Sequence, residues 1–123
     1  MHRHAVFASL HRGTHLAAAI VCNHPQRLAW VGVYPLDLSQ PNTRTFLKNK
    51  GLSGFPSSGR AYHIRAFEVE KGLIEADASI GETELNDAQS FVAPDDAALV
   101  RQLQDLGVPL ESLELPYKSN YPI

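Results

Sequence analysis

"AYHIRAFEVEKGLIEADASI", residues 61–80, is the stretch on which the fold turns. Apolar and polar residues alternate on both sides of Glu70-Lys71-Gly72, the period of a half-buried strand. A three-residue loop with glycine last closes many hairpins, because that position takes a left-handed backbone. The pattern predicts a hairpin of 61–69 with 73–80. Its register sets Tyr62 opposite Ile80, Ile64 opposite Ala78 and Ala66 opposite Ala76 on one apolar face. On the other face Arg65 meets Asp77 and His63 meets Ser79.

Upstream, 28–34 is apolar on both faces and reads as a central strand. Residues 40–50 read as a short helix, capped by Asn42 or Ser39 and ended by Gly51. Residues 4–11 and 15–22 read as a second hairpin around Arg12-Gly13-Thr14. Downstream, 89–93 has strand character within an ambiguous stretch. Residues 95–106 carry Leu99, Val100, Leu103 and Leu106 at helical spacing, with Asp95 as cap and Gly107 as stop. The tail from residue 110 onward is expected to lie extended on the body, with Leu113 and Leu115 inward. The sum is one α+β domain over 1–123, a single antiparallel sheet of about five to six strands with two helices, at about 40–50 and 95–106.

Composition fits this. The chain has 123 residues, 44% apolar and 20% charged, enough for one core. Its single cysteine, Cys22, precludes an internal disulfide and ends the apolar run 16–22, where it reads as a buried small residue. That run is too short for a membrane span and is a poor signal peptide, so the expectation is a cytoplasmic protein with no membrane partner. Charge divides along the chain. Residues 1–65 hold eight Lys or Arg and one acid, whereas 66–123 hold three Lys or Arg and twelve acids. Such a split marks a charged face only if the halves stay apart in space.

The segment 44–65 contains Arg44, Lys48, Lys50, Arg60 and Arg65 without an acid, interspersed with Ser53, Ser57 and Ser58 and three glycines. Converging hydroxyls, amides and cations are what an anion needs. The segment lacks the Walker order and follows a helix rather than entering one, so a flexible connector explains it better than an anion site does. His63, near Arg60, Arg65 and Tyr62 in sequence, is the one candidate catalytic group, and a lone histidine makes no site. His11 and His15 flank the first turn and are the candidate metal ligands, but a third ligand is missing. The acids Glu82, Glu84 and Asp87 lack calcium-loop order. No cofactor is expected.

Three functions remain, from different classes. The first is a non-catalytic binding protein with polarised charge, basic over 1–65 and acidic over 66–123, that engages a protein partner or a second copy of itself. The second is a nucleic-acid or phospholigand binder using 44–65. The third is a small enzyme acting on an anionic substrate through His63.

Overall fold

The computed structural model describes residues 2–123. It is an α+β fold built on one antiparallel sheet of four strands. In chain order these are β1 (Leu16–Ile20), β2 (Arg27–Asp37), β3 (Arg60–Glu70) and β4 (Asn86–Ala93), and their spatial order is the same. The helices are α1 (Arg3–His11), α2 (Pro41–Asn49), the short α3 (Lys71–Glu75) and α4 (Asp96–Asp105). Four strands and four helices replace the expected five to six strands and two helices.

Two local readings account for the difference. Residues 3–11 coil. Val6, Ser9 and Leu10 are buried, a spacing of three and four that only a helix can turn to one side. The strand expected over 4–11 is therefore replaced by a helix. Leu16, Ala18 and Ile20 do face inward as expected, but β1 pairs with β2, Leu16 opposite Val33, rather than with 4–11.

The second difference lies in the opening stretch. β3 forms and runs through Glu70, and then the chain enters α3 instead of turning back. Ala78 and Ser79 are exposed, and Asp77 sits at φ 53°. Adjacent Leu73 and Ile74 explain the outcome. Both pack on the cluster of Trp30, Phe67 and Val69, joined by Ile80. A helical turn sends two consecutive side chains to one cluster, whereas a strand would send one to water. Burial of that pair overrides the hairpin signal of Glu70-Lys71-Gly72.

The remaining elements follow their sequence signals. β2 is central, with Trp30 to Val33 buried. α2 starts at Pro41, and Ser39 hydrogen-bonds Asp37 rather than capping it. α4 is capped by the Asp95 carboxylate, which accepts from the Ala98 N–H at 2.8 Å. Gly107, at φ 74°, lets the chain turn so that the Val108 N–H reaches the Leu103 carbonyl at 2.8 Å. Leu99 and Leu103 join Val6, Leu10, Leu16, Val31, Val33, Tyr62, Ile64 and Leu113 in the main core on one face of the sheet. The Tyr62 hydroxyl donates to Asp96 at 2.5 Å, tying β3 to α4. The tail makes 3-10 turns at Leu110–Ser112 and Pro116–Ser119 rather than lying extended, with Leu113 buried and Leu115 packed on the core.

The tail also crosses the second face. Ser119 accepts through its carbonyl from Trp30 Nε1 at 2.8 Å, and the Tyr121 and Tyr34 hydroxyls share a hydrogen bond of 2.8 Å. On the way, Glu114 pairs with Ala17 through two backbone hydrogen bonds of 2.8 and 2.9 Å, an isolated bridge on the outer margin of β1.

The charge halves interleave. Arg27 of β2 contacts Glu70 at 3.0 Å, Glu68 at 3.2 Å and Asp87 at 3.3 Å, bridging three strands. Arg65 meets Glu82 at 2.7 Å and His11 meets Asp96 at 3.0 Å. Each pair joins a group from 1–65 to an acid from 66–123, so the two halves meet in space at Arg27, Arg65 and His11. Exposed pairs of this kind each contribute about 0–1 kcal/mol.

Candidate binding site on the outer strand

β4 has a strand neighbour on one side only. It pairs with β3 from Tyr62↔Ala93 to Glu68↔Asn86, and among the described residues no strand or bridge covers its other side. A register shift between Ala66 and Glu68, with Asp87 at φ 50°, interrupts the near end, and Pro94 closes the far end. The free margin is therefore short, 88–93, and residues 87–90 are exposed. Unpaired strand backbone is a template for another strand.

On one face, a polar row lies beside this margin. Ser90 sits opposite Arg65, and Val92 opposite His63. The Ser90 Oγ is 2.6 Å from His63 Nε2 and 3.3 Å from Lys50 Nζ. Lys50 follows the last turn of α2 and lies 5.3 Å from the Phe46 ring centroid, within cation–π range. Phe46 and Tyr34 flank His63, with ring centroids 4.9 and 5.8 Å away. Oγ accepts from the Lys50 ammonium and can donate its own hydrogen to a neutral His63. Burial, with Lys50 and Arg65 nearby, lowers the His63 pKa to about 4, so the ring is neutral near pH 7. The Arg65 Nη2 donates to both Glu82 carboxylate oxygens, at 2.9 and 2.7 Å, leaving Lys50 as the cation presented to β4.

The opposite face carries an apolar cleft of about 190 Å³. Ile20, Ala29, Ala66 and Leu106 line it, with Asp87 and Gln89 supplied by β4. A second cleft of about 370 Å³ shares Ile20, Val21 and Leu106 with it, and Val21 stands 94% exposed at the rim of both.

The residues singled out from the sequence scatter. Arg44 donates to the Ser57 carbonyl at 3.4 Å, and Lys48 is exposed on α2. Ser53 lines a hollow of about 150 Å³ with Arg44 and Phe55, while Ser57 and Ser58 are exposed in the loop. Arg60 reaches the other way, donating to the His11 carbonyl at 2.8 Å. Of that set, only Lys50 and Arg65 come near His63. His11 is held by Asp96, while His15 stacks on Tyr34 at 3.9 Å with Nε2 buried and unpaired. Among the described residues no group of three His, Cys, Asp or Glu could hold a metal. No described helix is long and apolar enough to cross a membrane.

Sequence reasoning missed Ser90 and Phe46. It paired Arg65 with an acid and His63 with a serine, and the structure does the same with Glu82 and Ser90 instead of Asp77 and Ser79. The residue types carried a signal, but the partner strand could not be read locally. No known protein-family model matches this chain, and no curated protein or solved structure matches it significantly.

The two inward histidines give a pH dependence. Burial lowers the His15 pKa, and that of His63 falls to about 4. An unfolded imidazole titrates near 6.5. Above that value both states are neutral. Below it the unfolded chain binds protons that the native state resists, so stability falls as pH drops from about 6.5 toward 4. For His63 the full shift corresponds to about 3 kcal/mol, and its partial exposure reduces this to about 1 kcal/mol. Urea midpoints at pH 7.5 and 4.5 measure the loss. His63→Gln is expected to flatten the profile, and an unchanged slope in that variant would contradict the account.

Proposed function

We propose that this chain is a non-catalytic binding protein that accepts an extended segment of a protein partner along the free margin of β4. The observation that carries the reading is the unequal treatment of the two sheet margins. The chain lays its own tail against β1 in the Ala17–Glu114 bridge, whereas among the described residues β4 has no strand or bridge on its outer side, where residues 87–90 are exposed beside a polar row. Strand addition draws affinity from backbone hydrogen bonds and specificity from side-chain sites on alternate faces.

The other two readings have less support. The cations of 44–65 diverge, with Arg60 engaged at α1 and Arg65 at Glu82, which leaves no continuous track for a phosphate backbone. His63 has the geometry of a base for Ser90, yet a base titrating near 4 is poorly matched to chemistry near neutral pH. The single half-buried Cys22 fits a reducing compartment, and we place the protein in the cytoplasm on that ground.

Selection from a phage-displayed random peptide library, followed by backbone hydrogen exchange, tests the reading. Selected peptides are expected to slow exchange over 86–93. Failure to select any peptide, or protection confined to other elements, would refute it.

A further inference from the structure

Resting on that strand-addition reading, we infer that the segment taken up by β4 carries an acidic side chain opposite Ser90. Gln89 and Ser90 are consecutive, so their side chains leave opposite faces of the sheet. Gln89 lines the apolar cleft, while Ser90 lies against Lys50 and His63. An added strand lies about 4.8 Å away and continues the same alternation. Its residue opposite Ser90 therefore emerges on the Lys50 side, and the next residue emerges on the cleft side. Directly opposed side chains lie about 5 Å apart at Cβ, within reach of a short carboxylate.

The chemistry on each face follows. On the polar face Lys50 is the cation available, because Glu82 holds Arg65. Lys50 engages only a neutral hydroxyl and a ring there. A carboxylate accepts from Lys50 Nζ and from the Ser90 hydroxyl, and these charge-assisted bonds are stronger than the neutral bond they replace. A basic side chain would instead meet Lys50 at close range. On the other face the guest's neighbour is Gln89, and the aliphatic residues Ile20, Ala29 and Ala66 of the cleft belong to β1, β2 and β3, beyond the reach of a guest side chain, so that face sets no requirement. The selectivity therefore lies on the polar face.

The same phage library, selected in parallel on the wild-type chain and on Lys50→Glu, tests this. Wild-type peptides are expected to share an Asp or Glu at one fixed position. Exchange of that acid for Lys in a synthetic copy is expected to weaken binding at least tenfold at low salt, with the difference shrinking as salt rises. Lys50→Glu is expected to replace the acid by Lys or Arg at the same peptide position. Lys50→Gln, which removes charge without reversing it, should lose the preference altogether. Peptides that protect β4 without an acidic preference, or a preference unchanged in Lys50→Glu, would overturn this inference and leave strand addition standing. Protection elsewhere, or no selected peptide, would overturn both.

Discussion

Leu103→Ala is expected to lower unfolding stability by about 3 kcal/mol, within the range of about 2–5 kcal/mol seen for deletion of a buried leucine side chain. Leu103 is 1% exposed on the inner face of α4, in the cluster that contains Ile64, Leu99 and Leu113. The truncation removes contact at once from a helix, the central sheet and the tail. In a domain of this size the melting temperature should fall by about 10–15 °C. Arg101, on the same helix, is exposed, and Arg101→Ala should stay within about 0.5 kcal/mol of the parent. Thermal and urea unfolding of both variants compares them directly. Equal effects would mean that α4 does not present this face to the sheet.

A second large effect is expected at Gly32. A Cβ built there lies 2.3 Å from the Tyr121 hydroxyl and 2.7 Å from its ring. The far end of a side chain usually yields cheaply, but this one is fixed. The Tyr121 hydroxyl bonds that of Tyr34, its ring packs near Phe67 and His15, and its N–H donates to the Pro116 carbonyl at 3.1 Å. Gly32→Ala therefore expels Tyr121 and loosens the tail beside Ser119, at about 2–3 kcal/mol. Trp30, the one tryptophan, donates to Ser119 and reports the change by fluorescence. Tyr121→Ala should produce a similar loss. The double variant should be little worse than either single one, since both act through the same contact. Strict additivity would contradict this.

How much of this was legible in the sequence depended on how far each signal had to reach. α4 was readable because its cap, stripe and stop lie within one helix length, and nothing distant competes with them. β2 was readable because a run apolar on both faces belongs in the middle of a sheet. The termini of the opening stretch behaved differently. Ala61 to Val69 obeyed their alternation, but Leu73 and Ile74 answered to Trp30, some forty residues earlier, and coiled to reach it. The candidate site inherited that error. Lys50 and His63 stood out individually, yet what unites them is Ser90, whose place opposite Arg65 is set only after α3 and the turn at Glu82–Glu84 have returned the chain to β3. No short window contains that register.

The clasp between Ala17 and Glu114 has a consequence for growth. A sheet with two bare margins can be lengthened from either end and so polymerise. Here the molecule's own tail bridges one end at Ala17, which obstructs recruitment there. If the guest is a second copy meeting β4 with its own β4, the product is a pair sharing one continuous sheet, with a tail bridge at each far end. Glu114→Pro removes the N–H that donates to Ala17 while leaving Ser119 and Tyr121 in the chain, and chains of copies, rather than pairs, would then be the form to look for in light scattering.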